Sequence, residues 1–276
     1  MEKLNALLEQ LQSYGSVVVA LSGGVDSSVL TKAAALALGD RAVAMTAVSA
    51  LLPEREMNDA CRIAAMAGIH HEVVNTHDLD VPDLVQNTRE RCYFCKRSRF
   101  QQMCDWAVKN NYAYVADGSN LDDKADYRPG MRAIAELSPQ VVSPFVVCGW
   151  TKQDIRQQAR EWGLPVWNKP SAACLASRLE YGIPLTAARL QQVEKAEQAV
   201  RHILQGQVRV RHHGQLARIE VMPEELETFW QHRQELTEAV KKQGFTYVTL
   251  DLEGYRMGSQ NESLEDVPVH VFPVVD

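Results

Sequence analysis

One seven-residue string constrains this chain more than any other feature. Ser22-Gly23-Gly24-Val25-Asp26-Ser27-Ser28 lies between a short apolar run, residues 16–21 (SVVVAL), and a helical stretch, residues 27–38. A β-branched apolar run of that length reads as a buried strand. Two glycines let the backbone turn tightly and approach an anion with no Cβ in the way. The amides that open the next helix point at the same spot, and the helix dipole favours negative charge there. Ser22, Ser27 and Ser28 add hydroxyls. A carboxylate beside phosphates needs a cation between them, so Asp26 points to Mg2+ chelated against a polyphosphate. A plain Gly-rich strand-to-helix turn would explain the glycines, but not the serines and Asp26 in this context.

The first half of the chain alternates strand and helix signals. Strands are expected at residues 16–21, 42–47, 71–74, 112–116 and 141–147, and helices at 1–13, 27–38, 53–67, 94–109 and 151–162. Thr151 and Asp154 form a capping box at the start of the last helix, and Gly163 ends it. This order predicts an α/β fold, a parallel sheet with helices on both faces. The pattern changes after about residue 166. Residues 168–173 read as a linker, followed by a helix (186–204), two strands (207–211, 217–221), a helix (223–242) and a strand (245–252). That order suggests a small C-terminal α+β domain, so the expected division is 1–167 and 168–276. Residues from about 262 onward carry little signal and are expected to be loosely held.

Composition narrows the function. The 276 residues carry 29 Lys and Arg against 35 Asp and Glu, a net charge of −6. That balance disfavours nucleic acid as a general partner. No apolar run is long enough to span a bilayer, and the mixed-charge start lacks an export signal, so a cytoplasmic protein without a membrane partner is expected. Its six cysteines are then expected to be reduced, metal-bound or nucleophilic. Cys61, Cys104 and Cys148 fall in helical or strand patterns and read as buried small hydrophobes. Cys92-x-x-Cys95 with Cys174 is different. Three thiolates suit a [4Fe–4S] cluster with one iron left open. A structural Zn2+ with a fourth donor and three thiols without metal are the alternatives. The adjacent pairs His70-His71 and His212-His213 cannot converge on one metal from a strand and read as surface or supporting residues.

The glycine-serine string resembles the PP-loop of the N-type ATP pyrophosphatases. It is not a Walker A loop, because no Gly-Lys-Ser/Thr follows. The resemblance implies ATP and Mg2+, adenylation of a carboxylate or carbonyl oxygen, and loss of pyrophosphate. Asp117-Gly118-Ser119-Asn120 resembles a second motif of the thiolases in that superfamily, and adenine is then expected near residues 45–48, beginning with Met45.

A narrower resemblance, to the LarE family of sulfur transferases, covers almost the whole chain. It rests on Arg91-Cys92-Tyr93-Phe94-Cys95-Lys96, Asp126-Tyr127-Arg128-Pro129-Gly130 and Trp167-Asn168-Lys169. Cys174-Leu175-Ala176-Ser177-Arg178, Val208-Arg209-Val210-Arg211-His212 and Leu250-Asp251-Leu252-Glu253-Gly254-Tyr255-Arg256 continue it. It implies a small nucleotide substrate, a pyridinium biscarboxylate mononucleotide, whose carboxylate becomes a thiocarboxylate for a nickel-pincer nucleotide cofactor. A sulfide donor is then a partner, and a homo-oligomer is compatible with the sequence. By the same resemblance Asp126 and Arg128 close the nucleotide site and Lys96 neutralises the leaving pyrophosphate. Ser177, Arg178, Glu197, Arg209 and Arg211 bind the substrate, the last two its phosphate. One type within the family sacrifices a cysteine at the position that here, counted from Asn168-Lys169, is Ala173, with Cys174 one residue later. The chain therefore resembles the three-cysteine type. A tRNA thiolase and a non-enzymatic nucleotide-binding module with zinc are the competing expectations.

Overall fold

A computed structural model describes residues 2–125, 129–170, 173–256 and 259. The chain divides into two compact units, Met1–Cys174 and Leu175–Asp276. The sequence placed the break a few residues earlier, at 167/168.

In the first unit the strands are β1 (Val17–Ala20), β2 (Ala42–Val48), β3 (His70–Asn75), β4 (Tyr114–Ala116) and β5 (Val141–Val142). They form one sheet in the order β3-β2-β1-β4-β5, and every pairing is parallel. The helices are α1 (Glu2–Ser13), α2 (Val25–Leu38), α3 (Glu54–Ala67), α4 (Pro82–Val85), α5 (Arg91–Lys109), α6 (Pro129–Glu136), α7 (Pro144–Val147) and α8 (Lys152–Glu161). The central strand shows why both faces need cover. Val17 and Val19 enter one core with Leu7 and Leu11 of α1, Leu30 of α2, Ile63 of α3 and Ile155 of α8. Val18 enters a second core with Phe100 and Met103 of α5 and Ile134 of α6. Alternate side chains of a strand point to opposite faces, so an all-apolar β1 is satisfied only in the middle of a doubly covered sheet. The α/β class expected from the sequence is the one observed.

Some boundaries differ. The strand expected at 141–147 stops at Val142, and residues 144–147 form α7. Pro144 is the reason. It cannot donate to a ladder but suits the first position of a helix, and Val147 is left 62% exposed. Helix α5 begins three residues before the expected 94, so Cys92 and Cys95 are helical residues. Cys61 is exposed, in contrast to the buried role expected for it, whereas Cys104 is buried.

The second unit holds α9 (Ala187–Arg201), capped by the Thr186 side chain. Strand β6 (Arg209–His213) pairs antiparallel with β7 (Leu216–Glu220), and β8 (Tyr247–Leu250) pairs parallel with β7. The helix expected over 223–242 is broken into α10 (Leu226–Gln231) and α11 (Arg233–Lys241) at His232, whose backbone (φ −97°, ψ 12°) leaves the helical region. His212 is buried against the Phe245 ring rather than at the surface. The stretch from residue 260 onward, where the loosely held end was expected, lies outside the described residues.

Candidate functional site

The PP-loop is shaped by a close backbone approach. Gly23 is left-handed (φ +75°), and a Cβ there would stand 2.5 Å from the carbonyl oxygen of Glu56 in α3. No other residue fits without moving backbone. Gly24 caps α2 without a side-chain bond, leaving the first-turn amides of that helix facing outward for an anion. The three serines lock the turn from within. Ser27 Oγ and Ser28 Oγ donate to the Gly24 carbonyl at 3.1 and 2.7 Å. Ser27 Oγ, its one proton spent, accepts from Ser22 N (3.1 Å) and Ser22 Oγ (3.1 Å). Met45 lies in β2, fully buried, and accepts the Leu21 amide that leads into the loop.

Asp26 stands in the first turn of α2 and is met by two residues that its motif does not predict. Lys152 Nζ, at the start of α8, lies 2.5 Å from one carboxylate oxygen, and Asn120 Nδ2 lies 3.5 Å from the other. The Lys152 backbone amide is held by Asp122 at 2.8 Å. The capping box of Thr151 and Asp154 fixes the same helix end; burial would raise the Asp154 carboxyl, but the Lys3 ammonium at 2.7 Å and the capping-box bonds bring it down to about 2. Asp117, 3% exposed, accepts hydroxyl protons from Ser119 and Ser143, both at 2.5 Å. Gly118 follows it, and a Cβ there would press on Ser27 N at 3.2 Å and Asp26 Cβ at 3.3 Å. The 117–120 segment is thus packed directly on the PP-loop. Asp126 and Arg128 lie outside the described residues.

The three expected cysteines all belong to this unit. Cys92 and Cys95 are three apart on α5 and share a helix face. The charges of Cys92, Cys95 and Cys174 act on one another. A cysteine in the first turn of a helix usually has a lowered pKa. Here burial wins: it raises the Cys92 thiol and pushes Cys95 up to about 12, with Cys174 adding to both. Arg91, Lys96 and Arg99 act in the other direction. Arg99, one turn beyond Cys95, is gripped by Asp78 (3.0 and 2.5 Å) and by Ser49 Oγ (2.9 Å). Lys96 lies along α6, where a Cβ on Gly130 would stand 2.7 Å from its Cδ. Among the described residues no three His, Cys, Asp or Glu side chains already stand in a metal-binding arrangement.

Of the expected substrate-binding residues, Arg178, Glu197 and Arg211 form buried ion pairs in the second unit. Arg178 binds Glu197 through two bonds (2.8 and 3.2 Å) and Ser177 Oγ at 2.9 Å. Arg201 reaches the same carboxylate at 2.7 Å. Burial alone would raise the Glu197 carboxyl, but Arg178, Arg201 and Arg209 outweigh it and hold it at about 2. Arg211 forks onto Glu220 at 2.9 and 2.7 Å and reaches the Ser177 carbonyl at 2.7 Å. Arg209 lies over the Tyr255 ring, 5.2 Å from its centroid. One carboxylate, Glu197, therefore answers three guanidinium groups.

Comparison with known proteins agrees with this architecture. Residues 2–120 match the NAD synthase family model. An uncharacterised protein of Synechocystis sp. is 43% identical over 95% of this chain and 99% of its own length. A tRNA-specific 2-thiouridylase of Heliobacterium modesticaldum is 28% identical, but over only 57% of this chain and 50% of its own. The pyridinium-3,5-bisthiocarboxylic acid mononucleotide synthase of Lactiplantibacillus plantarum is 33% identical over 98% of both chains. That full-length match, joined to the PP-loop geometry, means that the chain belongs to the LarE family.

Proposed function

We propose that this protein is an ATP-dependent sulfur transferase that acts on pyridinium-3,5-biscarboxylic acid mononucleotide. The full-length relationship to the Lactiplantibacillus plantarum synthase is the observation that carries the reading. A substrate carboxylate oxygen attacks the α-phosphorus of ATP, and pyrophosphate leaves. The acyl adenylate then reacts with hydrosulfide: a C–S bond forms, the C–O bond to AMP breaks, and one proton is released. The PP-loop amides and an Mg2+ on Asp26 would hold the polyphosphate. Lys152, already paired with Asp26, and Lys96 would share the negative charge of the departing pyrophosphate. Arg178 and Arg209, which act on Glu197 together with Arg201, and Arg211, which is forked onto Glu220, would hold the substrate's phosphate.

The sulfur donor is the finer part of the proposal. Three soft donors, Cys92, Cys95 and Cys174, suit three irons of a [4Fe–4S] cluster. A cluster bound there would supply sulfide from its open iron. The chain's own contribution is a set of thiols with Arg91, Lys96 and Arg99 nearby to balance their negative charge once deprotonated. A structural Zn2+ would require a fourth donor.

The test is an anaerobic reaction with ATP, Mg2+, the biscarboxylate mononucleotide and sulfide, read by pyrophosphate release and product mass. Sulfur replacing oxygen in step with pyrophosphate release is the expected result. Pyrophosphate release that depends on tRNA instead would favour the thiolase reading.

A further inference from the structure

We propose that His71 is a positioning residue of the ATP loop, which it serves by fixing the Thr46 hydroxyl on the peptide where the loop begins. Strands β2 and β3 pair in parallel with His71 opposite Ala44, so His71, Ala44 and Thr46 share one face of the sheet. Thr46 is 1% exposed, and a hydroxyl that buried needs partners. Its Oγ1 donates its one proton to the Leu21 carbonyl at 2.8 Å. The oxygen then accepts from His71 Nε2, 2.8 Å away. The opposite assignment would leave a single proton for both the carbonyl and the ring nitrogen, so His71 carries its hydrogen on Nε2. Burial lowers the His71 pKa, with Glu72 acting against it and His70 with it, so the ring is neutral at about pH 7 and above.

The carbonyl at the end of this relay belongs to the residue just before Ser22. The Leu21 amide donates to the Met45 carbonyl at 2.9 Å and its own carbonyl accepts from Thr46, so consecutive residues of β2 grip Leu21 on both sides. The N–H of the same Leu21–Ser22 peptide donates to Ser27 Oγ at 3.1 Å. Ser27 Oγ in turn donates to the carbonyl of Gly24, the residue that caps α2. An unbroken run of hydrogen bonds therefore leads from β3 to the helix end whose amides face the polyphosphate. A hydroxyl rotates freely unless both its proton and its lone pair are engaged. His71 engages the lone pair and keeps the proton aimed at Leu21. No covalent bond changes at His71, which acts on the nucleotide only through Thr46 and the loop. The inference needs the loop to hold ATP, but neither the identity of the substrate nor the sulfur donor.

Paired variants separate the donated proton from the shape of the side chain. H71Q keeps an N–H as many bonds from Cβ as the imidazole Nε2, whereas H71M fills similar space with no donor. T46S and T46V ask the same question of the hydroxyl. H70Q changes the exposed neighbour, whose partner is Glu72, and serves as the control. Thermal melting first shows which variants fold; if H71M does not, T46V against T46S decides. The main readout is the Kd of a non-hydrolysable ATP analogue with Mg2+, measured by calorimetry on the full chain. H71M and T46V should each weaken binding at least ~5-fold, the scale of one hydrogen bond. H71Q, T46S and H70Q should stay within ~2-fold of the wild type, since each leaves a donor on residue 71 and a hydroxyl on residue 46. The double variant H71M/T46V should bind within ~2-fold of T46V alone, because the imidazole acts only through the hydroxyl. Wild-type affinity in folded H71M or in T46V would overturn the proposal. So would H71Q binding as weakly as H71M, or losses that multiply in the double variant. A wild type that does not bind the analogue overturns it as well. If the wild type binds the analogue but transfers no sulfur to the pyridinium nucleotide, the proposed function fails instead, and the affinity series still decides the role of His71.

Discussion

Asp26 draws the sharpest residue-scale expectation. It is partly open to solvent and paired to Lys152, so Asp26→Asn should leave the melting temperature nearly unchanged. ATP–pyrophosphate exchange should fall by ~100-fold or more, the scale of losing one preorganised charge contact; unaltered exchange contradicts the Mg2+ assignment. Gly23→Ala should destabilise the first unit by about 1–3 kcal/mol through left-handed strain and the clash with Glu56, read as a lower unfolding midpoint. Glu197 governs acid stability in the second unit. Its carboxyl is held at about 2 against an ordinary 4.5. A depressed carboxyl stabilises the fold fully above its unfolded pKa and loses that contribution as pH falls through its folded pKa. The loss, on the order of 3 kcal/mol, should therefore fall between about pH 4.5 and 2. A denaturant midpoint for Glu197→Gln that shows the same pH dependence as the wild type would contradict this. The serines and Asp26 were legible because their meaning lies within one short string. Lys152, Lys169 and Arg99 were not, because their partners Asp26, Glu56 and Asp78 come from distant parts of the chain. A cation at a helix start or in a linker looks solvated until the fold brings a carboxylate to it.

Elements with local punctuation were readable and those decided by packing were not. The capping box at Thr151 and the left-handed Gly68 after α3 fixed their helix ends as expected. The parallel sheet was legible from apolar runs that only a doubly covered strand can bury. The end of β5 was set by Pro144, inside what reads as a continuous apolar stretch. The early start of α5 has consequences for chemistry, since it brings Cys92 onto the helix that was expected to hold only Cys95, about one turn before it. Thr151 offers a test at this scale. Its side chain accepts the Asp154 amide, so Thr151→Ala should cost about 1 kcal/mol. It should also loosen Lys152 next to it, so exchange should weaken more than stability; a loss confined to melting temperature would make the helix end purely structural.

At the scale of the whole molecule, the first unit carries the ATP loop and all three expected sulfur ligands, because Met1–Cys174 ends at the third cysteine. The second unit carries the arginine-rich residues assigned to substrate. No described helix is long and apolar enough to cross a membrane. Under the proposed function, adenylation would belong to the first unit's loop atoms and sulfur delivery to three cysteines acting together. Cys92→Ala, Cys95→Ala and Cys174→Ala should each abolish most sulfur transfer while ATP binding persists. The proposed function requires that sulfur enter the nucleotide at the expense of ATP without being taken from the chain itself. One anaerobic reaction, with the intact protein and the small-molecule product weighed from the same mixture, decides this. The expected result is a product in which sulfur has replaced oxygen and a protein of unchanged mass. A protein lighter by the mass of one hydrogen sulfide molecule, with dehydroalanine at position 174 and full activity in Cys92→Ala, would contradict it.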